Sequence, residues 1–281
     1  MKIALTGATG FIGRHLVAEL VQRGHEISVL ARDPAKVNAL SWPGIRTIQF
    51  ELNSSANAAA EVGMHDALIH LAWPGLPNYK ELFHFEENLP ASYRFLKACI
   101  EAGVPQILIT GTCFEYGMRD GCLTENLEAR PANAYSLAKD TLRKFLECLR
   151  ERQSFVLQWA RLFYMYGPGQ TSTSLLAQLD HAIDNGDPVF NMSGGEQLRD
   201  YMHVEQVASG LARVVEHAEC DGITNVCSGI PISVRKLVEQ RIESRSARIE
   251  LNFGYYPYPS HEPMAFWGDA RKFQKIINLA G

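Results

Sequence analysis

Lys2-Ile-Ala-Leu-Thr-Gly7-Ala-Thr-Gly10-Phe-Ile-Gly13 decides how this chain is read. A short β-branched and apolar run ends in three glycines, and the glycines open onto a segment of helical period. A strand running through such a turn into a helix brings backbone close to a pyrophosphate and points a helix N-terminus at its negative charge. Glycine-rich turns also serve purely structural connections, but here strand and helix flank the trio in the order that dinucleotide binding requires. The helix places Ile12, Leu16, Val17, Leu20 and Val21 on one face, and Gly24 is positioned to stop it.

Working outward, short apolar runs alternate with longer helical stretches. Residues 2–5 lead into 11–23, 27–30 and 47–50 follow, 67–72 leads into 91–102, 106–110 into 133–152, and 155–162 closes the series. This alternation predicts an α/β fold, a Rossmann-type doubly wound parallel sheet covered on both faces. Beyond Pro168 the pattern loosens, with a helix expected at 174–185, a turn at Ser193-Gly194-Gly195, helices at 204–216, from Val234 and at 269–279, and a strand at 224–227. The expected division is a dinucleotide-binding domain over 1–166, rejoined by about 200–228, with 167–281 mostly a smaller substrate lobe. The loop 253–265, rich in proline and tyrosine, reads as a surface or substrate-facing segment.

The 281 residues carry 27 Lys+Arg against 31 Asp+Glu, a formal charge of -4, so no basic excess points to nucleic acid or acidic lipid. A small-molecule partner is favoured. Nothing at the start resembles a signal peptide and there is no apolar run of about eighteen residues, so a cytoplasmic protein without a membrane partner is expected. The six cysteines form no C-x-x-C pair and stand near no histidine at ligand spacing; most are expected to be buried small hydrophobes, with no metal site.

The second expected strand ends in Arg32, where an NAD-selective site often carries an acidic residue. A guanidinium there can hold a 2′-phosphate, so NADP is preferred over NAD. Asp33 could instead meet the ribose, or simply cap the next turn with Pro34.

Tyr135-Ser-Leu-Ala-Lys139 lies early in an expected helix. Spacing of four puts phenol and ammonium on one face, where the cation would favour phenolate and lower the tyrosine pKa. Such a pair is by chance most often an exposed helical pair. Thr110-Gly-Thr112, at the C-terminal end of a parallel strand where ligands of this architecture bind, argues for the functional alternative.

With these motifs in place the chain resembles the extended short-chain dehydrogenase/reductase family of sugar-nucleotide epimerases, dehydratases and reductases. The matching motifs span almost the whole chain: Thr6 to Gly13, His70-Leu-Ala72, Thr112-Cys-Phe-Glu-Tyr-Gly117, Tyr135 with Lys139, Arg161 with Tyr166-Gly-Pro-Gly169, Arg199-Asp-Tyr-Met-His-Val204, and Asn225-Val-Cys-Ser-Gly229.

The resemblance implies that Tyr135 is the general acid/base, that Lys139 holds the nicotinamide ribose, and that Thr112 hydrogen-bonds the reacting oxygen. It implies that Gly7, Gly10, Phe11, Ile12 and Gly13 line the pyrophosphate, with Leu71, Ala72 and Thr110 along the cofactor. Arg199 is implied to grip the substrate diphosphate. Asn191 and Arg161 are weaker candidates, and a structural salt bridge beneath the sheet is an equal reading of Arg161. Trp73 and Tyr164 are further substrate candidates. Tyr79, His84, Asn88 and the tyrosines near Tyr256 could shape the sugar pocket but fit packing as well. Glu115 could face sugar or solvent.

Family dehydratases carry an Asp-Glu pair where this chain has Cys113 and Phe114, so dehydration lacks its acid and base. Dual-function epimerase/reductases place a catalytic cysteine at the position of Phe114, one residue from Cys113. Tyr164 replaces a common Asn, and no arginine sits just before Asp269; both departures bear on the usual diphosphate contacts. The chain is thus most similar to reductases of nucleoside-diphosphate 4-keto-6-deoxy sugars, using NAD(P)H. An NDP-sugar 4-epimerase with tightly bound NAD is the alternative, and a non-catalytic dinucleotide sensor or scaffold a minor one. The resemblance also implies a homodimer through the helices at 91–102 and 133–152.

Overall fold

A computed structural model describes residues 1–52, 56–258 and 262–279. The chain runs β1 (Lys2–Thr6), α1 (Phe11–Gln22), β2 (Glu26–Ala31), α2 (Pro34–Asn38), β3 (Arg46–Gln49), α3 (Ala56–Val62), β4 (Ala67–His70), α4 (Leu89–Glu101) and β5 (Gln106–Thr112). It continues through β6 (Gly121–Leu123), α5 (Ala134–Arg150), β7 (Val156–Leu162), β8 (Tyr164–Tyr166), α6 (Leu175–Asn185), β9 (Val189–Asn191), β10 (Leu198–His203) and α7 (Val204–Glu216). The last elements are β11 (Gly222–Val226), β12 (Pro231–Ser233), α8 (Val234–Ser244), β13 (Glu250–Asn252), β14 (Phe266–Gly268) and α9 (Arg271–Ile277).

Seven parallel strands form the central sheet in the order β11-β7-β5-β4-β1-β2-β3. The strand order reverses between β1 and β4, which opens a crevice beyond their C-terminal ends. The expected Rossmann-type α/β sheet is what the chain forms. Helices cover both faces because the inner strands are apolar on both sides. One buried cluster joins Phe95, Leu96, Leu142 and Leu146 to the sheet, and the other joins Leu16, Leu20, Leu211 and Val215 to the opposite face.

A smaller cluster of Leu176, Leu179, Phe190, Leu237 and Val238 packs α6 and α8 around β9. Short strands here escaped sequence reading: β8 pairs with β10, β9 with β13, and β6 with β14. Each pairing except that of β10 engages three-residue strands whose partners lie far along the chain, so no local period announces them. In the loop 253–265, Tyr255 N–H donates to the Met192 carbonyl (3.0 Å), while Tyr255 and Tyr256 are exposed. Pro259, Ser260 and His261 of that loop lie outside the described residues.

Cys99, Cys113 and Cys227 are buried as expected, but Cys122 and Cys148 are exposed and Cys220 is intermediate, because the last three fall on a sheet edge, an outer helix face and a turn. Among the described residues no helix is long and apolar enough to cross a membrane.

Candidate active site

The glycine turn is built as its spacing demands. Gly7 has φ +78°, and a Cβ there would lie 2.8 Å from the Ala72 nitrogen, so β1 and the residues after β4 can approach this closely only around a bare backbone. A Cβ at Gly13 would lie 2.2 Å from the Gly7 carbonyl oxygen. Gly10 caps α1 without any side-chain hydrogen bond, and Phe11 and Ile12 occupy the first turn, so the helix start remains available to an anion. Thr6 Oγ1 accepts the Ala72 N–H (3.2 Å), tying the Leu71-Ala72 segment to the turn. The Tyr166 to Gly169 turn sits over the same helix end: the His15 ring nitrogen Nε2 is 2.9 Å from the Pro168 carbonyl.

Arg32 is exposed just past the end of β2, and its carbonyl accepts from Gln49 Nε2 (3.3 Å). Asp33 takes the capping role: its carboxylate accepts the Ala35 N–H (3.0 Å) at the start of α2, with Pro34 in the first turn.

Tyr135, Lys139 and Thr112 come together at the C-terminal end of β5, all nearly buried. Asn133 caps α5 through the Ser136 N–H (2.9 Å), which fixes where Tyr135 enters the site. The Thr112 hydroxyl oxygen accepts the Phe114 N–H (3.2 Å), and the Thr112 side chain favours the ionised Tyr135 phenol, an effect smaller than burial. Lys139 Nζ donates to the Thr110 carbonyl (2.8 Å) and lies 4.0 Å from the Trp73 ring centroid. Burial pulls the Lys139 ammonium down to about 7, with the Glu115 charge opposing that fall.

The expected lowering of the Tyr135 pKa is not found. Burial, with Tyr79, Glu115 and Cys113 adding to it, pushes the phenol well above its ordinary value, because the lysine is directed at the strand carbonyl and the phenolate would be desolvated.

Aromatic side chains wall the tyrosine. Tyr79 and His84 stand 5.5 and 5.3 Å from its ring, and Trp73 Nε1 donates to His84 Nδ1 (3.0 Å). Burial lowers the His84 pKa, and His70, next to Thr6, is pulled down to about 3 by burial and by Lys139. Cys113 is buried beside this group and its thiol is pushed up by burial, so it is not a thiolate nucleophile here.

Arg161 takes the structural alternative: its Nε donates to Glu115 (2.7 Å) with both side chains at 1% exposure or less. Glu115 therefore faces neither sugar nor solvent, because Arg161 and Trp159 draw it under the sheet end. Arg199 reaches the site but is held there: Nη2 donates to Glu262 (2.9 Å) and Nη1 to the carbonyls of Leu198 and Met264. The guanidinium carbon lies 5.7 Å from the Tyr164 ring and 4.6 Å from the Phe266 ring.

Glu262 went unnoticed in the sequence because its partner lies 63 residues away. Asp200 was missed likewise; it accepts the N–H groups of Ser228, Gly229 and Gly268 and so ties two of the motifs together. Asn191 accepts from Asn252 (2.8 Å) and lines an open cleft of about 910 Å³ with Tyr166, Gln170, Arg241 and Tyr256. That cleft does not include Tyr135; it extends from the Tyr166–Gly169 turn across the small cluster.

Residues 3–227 match the model of the NAD dependent epimerase/dehydratase family. The chain belongs to that family. Within it, the chain is 29% identical over 270 residues to the dTDP-6-deoxy-L-talose 4-dehydrogenase (NAD(+)) of Aggregatibacter actinomycetemcomitans, covering 95% of this chain and 99% of the relative. The GDP-6-deoxy-D-talose 4-dehydrogenase of the same organism is 23% identical, covering 89% and 82%. Among solved structures, MoeE5 in complex with UDP-glucose and NAD is 27% identical with TM-score 0.83, covering 100% of this chain and 93% of that one.

Proposed function

We propose that this enzyme reduces the 4-keto group of a nucleoside-diphosphate 4-keto-6-deoxyhexose with a nicotinamide dinucleotide. The observation that carries the reading is the convergence of Tyr135, Thr112 and Lys139 at the sheet end beside an uncapped, glycine-lined helix start. The near full-length likeness to a 6-deoxytalose 4-dehydrogenase supports the substrate class.

Gly7, Gly10, Phe11, Ile12 and Gly13 would hold the pyrophosphate, with Leu71, Ala72 and Thr110 along the dinucleotide, which supplies hydride when bound. Thr112 and Tyr135 would both hydrogen-bond the C4 oxygen. As negative charge develops there, the Tyr135 hydroxyl gives its proton to the new alkoxide. A phenol held high by burial stays protonated until that moment, which suits the reductive direction. Lys139 places its positive charge nearby and holds the nicotinamide ribose. Trp73 and the Tyr79 wall exclude water, while Arg199, Tyr164 and Asn191 would meet the nucleotide-sugar.

NAD is the reading for the cofactor, supported by relatives and solved structures whose names include it. Exposed Arg32 past β2 keeps NADP as the second reading. Residues 1–166 with 200–228 would form the dinucleotide domain, and most of 167–281 the substrate lobe. A cytoplasmic homodimer fits: on α5, Phe145 and Leu137 are 44% and 46% exposed.

Incubating the enzyme with NADH or NADPH and dTDP-4-keto-6-deoxyhexoses, while following absorbance of the reduced nicotinamide, tests the reading. Oxidation that depends on the keto sugar is expected. Tightly copurifying NAD, with sugar interconversion needing no added reductant, would select the epimerase instead.

A further inference from the structure

The Glu115 carboxylate is fully buried, yet three hydrogen-bond donors are arranged around it. Its Oε1 accepts the Thr112 backbone N–H (2.9 Å) and the Trp159 indole N–H (3.0 Å), and its Oε2 accepts Arg161 Nε (2.7 Å). Gly111 makes the room: a Cβ there would lie 2.5 Å from Oε1 and 2.2 Å from Trp159 Nε1. On the other side the Arg161 guanidinium lies 4.4 Å from the Tyr116 ring centroid, and the Tyr116 hydroxyl donates to Asn225 (2.7 Å). A buried ion pair brings little net stability over apolar packing of the same volume. Its placement beneath the strand end that carries Thr112 therefore calls for a role beyond stability.

We propose that Glu115 is a positioning residue of this site, fixing Thr112 through its backbone N–H and placing a buried negative charge at the same end of β5 to which Thr110 fastens the Lys139 ammonium. The inference rests on the proposed reading of Thr112 and Lys139. The groups facing Lys139 leave that duty to Glu115. Burial lowers the pKa of both His70 on β4 and His84 before α4, and it keeps the proton on Tyr135 of the same helix as Lys139. Around Glu115 itself stand Arg161, Lys139 and the protonated Cys113, Tyr116 and Tyr135.

Glu115→Gln keeps an acceptor for the Thr112 N–H and removes the charge, whereas Glu115→Asp keeps the charge and shortens the reach. Both are compared with Tyr135→Phe using NADH and a dTDP-4-keto-6-deoxyhexose from about pH 5 to 9, alongside the thermal midpoint of the unliganded protein across the same range. Glu115→Gln is expected to lower kcat about tenfold near neutrality, to leave KM within about twofold, and to move the alkaline limb down by about one pH unit. The pH at which the thermal midpoint starts to rise, which reports Lys139 losing its proton, moves the same way. Glu115→Asp loses kcat but keeps the limb. An unmoved limb and midpoint in Glu115→Gln, beside an inactive Tyr135→Phe, overturns the role of Glu115 and leaves the site reading intact. Full turnover by Tyr135→Phe overturns the site reading instead, and the midpoint profile still tests the link from Glu115 to Lys139. Should Arg161 left unpaired prevent folding, Glu115→Gln/Arg161→Met removes both charges, and shifts in the same direction but smaller are expected of it, because the loss of the Arg161 charge partly offsets that of Glu115.

Discussion

Lys139 Nζ donates to the carbonyl oxygen of Thr110 across 2.8 Å, so the one lysine of the site is fastened to β5 rather than to its tyrosine neighbour on α5. With the side chain only 1% exposed, burial brings this ammonium to about 7 from an ordinary 10.5.

That burial sets a pH profile for stability. The unfolded chain keeps the Lys139 proton up to its ordinary value, while the folded chain releases it near 7, so the unfolded state binds more protons in between and stability rises with pH there. Above about 9 the buried thiols Cys99, Cys113 and Cys227, all raised, act in the opposite sense. The thermal midpoint of the unliganded protein is expected to climb by about 5 °C between pH 7 and 9 and then fall. Lys139→Met should abolish the climb, as differential scanning calorimetry would register.

Tyr135→Phe removes a proton donor and little volume. Turnover is expected to drop by about 10² to 10⁴-fold. Dinucleotide affinity, measured by fluorescence titration, should change less than about threefold, since the glycine cradle is untouched.

Gly13→Ala drives a methyl group against the Gly7 carbonyl oxygen, which is backbone and cannot swing aside. A cost of about 1–3 kcal/mol in stability is expected. Calorimetry of dinucleotide binding should show at least about a tenfold weaker complex, because the turn must open to admit the methyl.

Arg199→Met leaves Glu262 as a partly buried carboxylate without its guanidinium. The thermal midpoint should fall, and KM for the nucleotide-sugar should rise by at least about tenfold with KM for the dinucleotide unchanged. Equal effects on both constants would remove Arg199 from the substrate side.

Much of the central sheet and its covering helices was legible in the sequence. Strands β1, β5 and β7 and helices α1, α5 and α7 lie within two residues of where their periods place them, because each is long enough to display its buried face. The three-residue strands around β9 and β14 were not legible, since each is stable only through a partner far away in sequence. Glu115 illustrates the limit well. Its type and position were plain, but whether it met sugar, solvent or Arg161 depended on a residue 46 positions later and on Gly111 yielding the space.

By itself the sequence determined the parallel sheet, the bare backbone at Gly7 and Gly13, and the i, i+4 placement of Tyr135 and Lys139, because each is a local rule of spacing along one strand, turn or helix. Only the tertiary structure decided that the Tyr135 phenol is pushed up rather than down, that Arg161 turns to Glu115, and that Arg199 is held by Glu262. Those outcomes follow from which groups lose water together, and that is settled only when distant segments pack.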